Sequence, residues 1–412
     1  MLNLRIFNAI GFLRGMYFYI PIFTFFLLAE EVSLSAIVIS QAVYSLCMFL
    51  GEVPTGLLAD RYGQKFAIVT GYAVEVFGIL LVILFPTALG LYISYGLRGI
   101  GGSLLSGSEE ALLYESVRTT GLNNFQKVYG RFLSNDQIGF IVSAAGAGLA
   151  YAYLGSASYI PLILLTAVCV GGAGALSFFL IDYRSDILNP TEGSGMFASL
   201  KDSFALIRTN DTILTLTIVG ILTLGGEYFM QALYQPHFEL NGVSAFWIGA
   251  VLSVGTAFSI VTSRYAYLME RYVSLEKIIL FINLTLGVCY LLVAVLVHPV
   301  FLVGIYVVMN GLFSLQVPIV SDYINARTRS SIRSTVLSGI SFVRRFFQMF
   351  VTWVLGVTVG VFGIESSLLI QGVYLLIGAL LSYYLLVRCG CTYKVVNSDG
   401  DEFEFEHATL SK

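Results

Sequence analysis

The sequence predicts an all-α integral membrane protein of twelve transmembrane helices, built as two six-helix halves with both termini cytoplasmic. Three observations predict it. Hydrophobic residues make up 57% of the 412-residue chain and charged residues 11%, whereas a soluble globule carries about a quarter charged residues. Apolar runs of about 20 residues, enough at 1.5 Å per residue to cross about 30 Å of hydrocarbon, recur along the whole chain. The loop cations all fall on one side of the membrane that this alternation defines.

The first six runs lie near 6–29, 35–58, 66–85, 89–113, 131–154 and 159–181, and the second six near 212–238, 245–268, 275–296, 300–324, 334–359 and 365–388. The first is too long for a secretory signal, lacks a small-x-small cleavage site and holds Arg14, so it reads as a span. Loops 30–34, 86–88, 155–158, 239–244, 297–299 and 360–364 contain no Lys or Arg. Arg61, Lys65, Arg118, Lys127, Arg184, Lys201, Arg208, Arg271, Lys277, Arg327, Arg329 and Arg333 all lie in the alternate loops, which marks that side as cytoplasmic. The net charge of −3 points to no partner, and no basic patch suggests nucleic acid. Cys47, Cys169 and Cys289 sit inside spans and Cys389 and Cys391 just after the last, so no disulfide framework is expected. The last two read as free thiols, with acylation as the alternative.

A shift of 211 residues brings Gly15-Met-Tyr17-Phe18 onto Gly226-Glu-Tyr228-Phe229 and Val32-Ser33 onto Val243-Ser244. At nearly the same offset Asp60-Arg61-Tyr62 meets Glu270-Arg271-Tyr272, without the neighbouring glycines. An internal repeat of this kind divides the chain into an N-terminal bundle (1–181), a cytoplasmic linker (182–211), a C-terminal bundle (212–388) and a tail (389–412). The linker opens with Asp182 and Arg184, passes through Pro190-Thr-Glu-Gly-Ser-Gly195 and ends in 197–207, a candidate membrane-lying helix. The acidic tail, with Asp401-Glu-Phe-Glu-Phe-Glu406, has a composition typical of disorder.

Between the second and third runs stands Gly56-Leu-Leu-Ala-Asp60-Arg61-Tyr62-Gly63-Gln64-Lys65. So tight a connection suggests that Gly56 and Gly63 provide close approach or positive φ. The pattern G-x-x-x-D-R-x-G-x-K, with Glu52, Pro54 and Thr55 just upstream, resembles the loop between helices 2 and 3 of the major facilitator superfamily of secondary transporters. That resemblance covers nearly the whole chain and implies two parallel halves about a midplane substrate cavity. It also implies a cytoplasmic gate of Glu52, Gly56, Asp60, Arg61, Gly63, Lys65 and Arg118, with Asp60 capping the eleventh span near Ser334. A topology determinant without gating is the alternative reading.

Charge inside a span costs roughly 2.5–3.5 kcal/mol on insertion scales, so each such residue asks for a reason. Those singled out are Arg14, Glu75, Arg98, Glu109, Glu110, Asp136, Glu227, Asp322, Arg344 and Arg345. Arg98, Gly102, Leu105 and Glu109 form one helical stripe. Arg98-Gly-Ile-Gly-Gly102 partly resembles the superfamily's R-x-x-x-G element, where a buried arginine is implied to couple proton and substrate movement; structural pairing with an acid is the alternative. In the seventh span Glu227, Gln231, Tyr234 and Gln235 form a polar stripe expected to face water or substrate. Glu227 is the first proton-coupling candidate, Asp136 the second and Glu109 the third, since a partly desolvated carboxyl can load and release a proton. A salt bridge from Asp136 to Arg131 or another nearby cation is the competing reading. Ser341, Arg345, Gln348 and Thr352 share a face of the eleventh span, and Tyr17 and Tyr228 are repeat-related aromatics. The predicted cavity is therefore Arg14, Tyr17, Arg98, Glu227, Tyr228, Gln231, Arg345 and Gln348.

No G-x-x-x-x-G-K-[ST] loop is present, so a gradient rather than ATP is the expected energy source. His237 and His298 lack partners at metal-ligand spacing, and no nucleophile and base pair suggests an enzyme. No metal or other cofactor is expected. The superfamily's glycine-proline antiporter run is reduced to Gly146-Ala-Gly148, a departure that bears on export. The residues and the resemblance together lead to a monomeric, lipid-embedded, multi-pass transporter of the plasma membrane, exporting an amphipathic solute against protons. The alternatives are proton-coupled uptake of an organic anion through Arg14, Arg98 and Arg345, or a lipid flippase or transport-dead sensor.

Overall fold

The computed structural model describes residues 2–120, 125–182, 208, 211–223, 226–296, 298–327 and 333–389. Most of the linker, Asp322's side chain, Cys391 and the acidic tail lie outside the described residues. Within them the regular structure is helical throughout. The first half comprises α1 (Leu2–Arg14), a 3-10 turn (Ile20–Ile22), α2 (Phe23–Ala29), α3 (Leu34–Tyr62), α4 (Gln64–Leu84), α5 (Ala88–Thr119), α6 (Phe125–Leu154) and α7 (Tyr159–Ser177). The second comprises α8 (Asp211–Leu222), α9 (Gly226–Leu240), α10 (Ala245–Arg264), α11 (Ala266–Tyr272), α12 (Leu275–Val295), α13 (Pro299–Arg327) and α14 (Arg333–Arg388), the last broken at Gly363.

Seven apolar stretches among the described residues are long enough to cross a membrane, and two of them, Phe125–Ser177 and Phe342–Arg388, each hold two of the expected spans. The spans outside that set are the first, the fourth and the seventh. The first is an interrupted helix, α1 with α2, and the seventh is described as α8 and α9, with residues 224–225 between them outside the described residues. The fourth, α5, carries Arg98, Glu109 and Glu110. The expected count of twelve is thus reached only by including the spans that carry a break, a gap or charge.

Local geometry repeats at the offset read from the sequence. After α2 the Val32 N–H donates to Leu27 O at 2.9 Å, with Glu31 at φ 60°. After α9 the Val243 N–H donates to Phe238 O at 2.9 Å, with Gly242 at φ 67°. Both are the left-handed helix stop in which the second residue past the end reaches back to satisfy an orphan carbonyl. Likewise α3 ends at Tyr62 and α11 at Tyr272. Gly63 leaves α3 at φ 99°, ψ 155°, a conformation essentially reserved for glycine. Val273 leaves α11 in ordinary extended backbone, which explains why the second copy of the loop dispenses with that glycine.

Contacts group the chain into two units. One comprises Met1–Gly193, Tyr228–Thr256 and Gln348–Gly363, the other Ser194–Glu227, Ala257–Phe347 and Ile364–Lys412. The first unit is cored by Phe7, Ile10, Tyr19, Ile22 and Tyr72. In it α1 lies close along α6, because a Cβ at Gly15 would collide with the Asp136 backbone and one at Gly139 with the Phe12 carbonyl. Gly148 of the reduced glycine run meets Gly249 of α10, whose Cα lies 2.8 Å from where a Gly148 Cβ would be. In the second unit the hydroxyls of Ser259, Thr262 and Ser263 on α10 donate to carbonyls of Asn310, Gly311 and Ser314 on α13 at 2.9–3.0 Å. Such hydroxyl bridges join helices where lipid offers no hydrophobic drive.

Candidate functional site

Arg14 is the last residue of α1, where the helix-terminal carbonyls favour a cation. The chain then leaves the helix for Met16–Tyr19 before the 3-10 turn. The glycine contacts between α1 and α6 bring the Arg14 guanidinium beside Asp136, and its Nε donates to Asp136 Oδ1 at 2.9 Å. Its Nη1 donates to Glu109 Oε2 on α5, and the Tyr72 hydroxyl of α4 donates to the other Glu109 oxygen. The guanidinium also lies 5.2 Å from the centre of the Phe132 ring.

A second ion pair stands beside it. Arg98 Nε donates to Glu75 Oε1 at 2.9 Å, and the Tyr17 hydroxyl donates to that same oxygen at 3.1 Å. The Arg98 guanidinium faces the rings of Tyr95, Tyr19 and Tyr17 at 5.2, 5.6 and 5.9 Å, a setting that holds a cation away from water. Arg98 and Glu109 share a stripe on α5, but eleven residues put them about 16 Å apart along the axis, so each finds a partner on another helix. Asp136 pairs with Arg14 rather than with Arg131, which is exposed.

A cavity of about 410 Å³ opens among these groups, lined by Arg14, Tyr17, Tyr44, Tyr72, Glu75 and Asp136, with Gly102, Leu105 and Phe140 completing its wall. Of these paired charges, Arg14, Glu75 and Asp136 line the cavity and Arg98 and Glu109 stand behind its wall; the two guanidinium groups and three carboxylates together leave an excess of one negative charge when all are ionised. The side chains of Glu109 and Glu75 are 4% and 6% exposed, against 30% for Asp136. Asp136 is therefore the most accessible of the three carboxylates.

The structure thus gathers Arg14, Tyr17, Arg98, Glu109 and Asp136. Glu227, Tyr228 and Gln231 lie on α9 with side chains outside the described residues. Further along that stripe, Tyr234 and Gln235 are each 1% exposed, so this part is buried in protein and does not face water as expected. The Tyr234 hydroxyl donates to Ile248 O at 3.2 Å. Gln348 is half-buried and is not among the cavity-lining residues; Arg345, also half-buried, belongs to the second unit. Glu75 and Tyr72, left out of the predicted site, prove central to it. Their signal was present: Glu75 is the only acid in its span, and Tyr72, three residues earlier, shares its helical face.

At the predicted gate the turn is a single residue, Gly63, between α3 and α4. The Lys65 N–H donates to Asp182 Oδ2 at 3.3 Å, and a Cβ at Gly63 would strike that carboxylate. Asp182, read from the sequence as the linker's first residue, thereby caps α4. Asn3 fixes the residue before it: its amide donates to Ile181 O at 2.8 Å and accepts from Ile181 N–H at 2.9 Å. Asp60 and Arg61 are exposed and Glu52 is half-buried, while Arg118 pairs with Glu115 one turn back on the α5 surface at 3.4 Å. Gly56 lies within α3, and among the described residues nothing stands within 4 Å of where its Cβ would be, so the close approach expected of it is not seen there. The side chain of Ser334 lies outside the described residues.

A family model described as Major Facilitator Superfamily matches residues 7–275. An uncharacterized MFS-type transporter of Bacillus subtilis (strain 168), YxaM, is 22% identical over 387 residues, covering 92% of this chain and 94% of that protein. The inner membrane transport protein YajR of Escherichia coli (strain K12) is 30% identical over 105 residues, 25% of this chain and 23% of YajR. Among solved structures, a variant of the nucleoside transporter NupG superposes with a TM-score of 0.79 at 13% identity, covering 93% of this chain and 99% of that one. NupG itself gives 0.70 at 13% identity, covering 95% and 98%. At that identity the likeness is one of fold.

Proposed function

Because the chain belongs to the major facilitator superfamily and is a multi-pass transporter of a small solute rather than an enzyme, we propose that it exports amphipathic organic cations in exchange for protons. The observation that carries this reading is the excess of carboxylate over guanidinium around a cavity walled by tyrosines. A single positive charge balances the cluster, and either a proton or an organic cation can supply it. Competition between them for Asp136 couples their opposite movements. Tyr17, Tyr44 and Tyr72 offer ring faces to the apolar part of a cation, and Glu109 shares the Arg14 guanidinium with Asp136. Arg14 turns further toward Glu109 whenever Asp136 is neutralised. Glu227 remains a coupling candidate on the strength of its place in α9, and the two six-helix bundles joined by the linker 182–211 remain the moving bodies.

Uptake of an organic anion has less support. It requires guanidinium groups open to a carboxylate, and Arg14 and Arg98 both already hold acids. Binding of tetraphenylphosphonium to the purified protein tests the choice. Its Kd should weaken as pH falls, approaching tenfold per pH unit where one proton competes with one cation, and Asp136→Asn should flatten that slope. An affinity indifferent to both pH and Asp136→Asn would overturn the assignment.

A further inference from the structure

The interruption of the first span is held open by a side chain from the seventh. Gln235 Nε2 donates to the Ile20 carbonyl at 2.7 Å, and Gln235 Oε1 accepts from the Thr24 N–H at 2.9 Å. Residues 20 and 24 are the carbonyl and amide that an uninterrupted α-helix would bond to each other. The glutamine amide is therefore spliced into the helical hydrogen-bond ladder, taking the place of one backbone bond. Thr24 Oγ1 adds a donation to Ala232 O, one turn before Gln235, at 3.1 Å. Thr24 and Gln235 are 211 residues apart, so they are the same position in the two copies of the repeat. All these groups belong to one unit, and Gln235 is 1% exposed and Thr24 2%.

We infer that Gln235 is a positioning residue for transport, holding the first span in its broken form and so keeping Tyr17 and Arg14 at the cavity. The inference rests on the transport reading but not on the identity of the solute. Withdrawal of Gln235 leaves the Thr24 N–H without its acceptor and the Ile20 carbonyl with only the Phe23 N–H, and the Thr24 N–H is satisfied by bonding to that carbonyl in place of Phe23. The 3-10 turn Ile20–Ile22 then becomes α-helix. Three residues passing from three to 3.6 per turn unwind by about 60° and shorten by about 1.5 Å. Everything N-terminal to the turn rotates with them, taking Tyr17 off Glu75 and Arg14 off its two acids. Both states leave the Ile20 carbonyl and the Thr24 N–H paired, which makes this a two-state element rather than a gradual one. Gln235 stands about a turn from the 239–244 loop, which lacks Lys and Arg, so the splice lies toward the non-cytoplasmic side and its release opens that side.

Two variants push the element in opposite directions. Gln235→Ala removes the splice and favours the continuous helix. Thr24→Pro removes the N–H and places a ring against the Ile20 carbonyl in any continuous helix, yet proline is tolerated in the first turn of α2. The readout is the rate at which a membrane-impermeant maleimide, added from the non-cytoplasmic side of right-side-out vesicles, labels Tyr17→Cys in a background free of other cysteines. It needs no substrate, so it separates this inference from the proposed solute. Gln235→Ala should raise the rate about tenfold and Thr24→Pro should lower it below that of the parent. Equal labelling in all three, or a rise in both variants as simple loosening would give, overturns the inference.

Discussion

At the scale of single residues, the first unit joins five charged side chains inside a membrane protein into two clusters. Arg14 bridges Glu109 and Asp136, and Arg98 holds Glu75. Removing one member of a buried pair costs more than removing both, because the survivor keeps its desolvation without its partner. Arg14→Leu should therefore destabilise the protein by about 3 kcal/mol, and adding Glu109→Gln should recover a good part of that loss. Denaturant unfolding of the detergent-solubilised single and double mutants checks this as a thermodynamic cycle. Charge inside apolar runs made Arg14, Arg98, Glu109 and Asp136 legible in the sequence as residues needing partners. Which partner each takes was not legible, because the pairs span 23 to 122 residues of sequence and depend on how α1, α4, α5 and α6 pack. Stripe geometry along α5 could show a shared face but not that Arg98 reaches across to α4. The polar stripe on α9 misled for a related reason. A buried glutamine can satisfy backbone freed by another helix's break, and nothing in the local sequence of α9 announces that break.

At the scale of elements, glycine decides where helices touch and where they turn. The α1 and α6 contact depends on Gly15 and Gly139, each facing a backbone with no room for a Cβ. Gly139→Leu should separate the two helices, weaken the pair between Arg14 and Asp136, and lower both the unfolding midpoint and proton-coupled transport. Gly63 is constrained differently, by its φ of 99° and by the Asp182 carboxylate above it. Gly63→Ala should cost about 1–3 kcal/mol, whereas Val273→Ala, at the equivalent but extended position, should cost far less. Thermal unfolding of the two variants side by side measures the contrast. Asp182→Asn should also lower the midpoint, since it removes the charge from the α4 N-terminus. The helices themselves were readable from hydropathy and the Gly63 turn from its composition. The break in the first span was not, because an apolar run reads the same whether its backbone is continuous or interrupted.

At the scale of the whole molecule, the fold is that of the major facilitator superfamily, and the repeat seen as a few matched residues reappears as matched helix stops. The proposed function rests on charge balance around one cavity. Proteoliposomes enclosing a pH dye test that balance directly. An amphipathic cation, an organic anion and a nucleoside are added outside in separate runs, with no pH gradient imposed. Proton exchange predicts that the cation alone drives protons out, so that the lumen turns alkaline, and that Asp136→Asn abolishes the signal. Acidification on adding the anion or the nucleoside would mean that protons enter with the solute, and silence with every solute would mean that no such coupling exists. Either result would contradict the account.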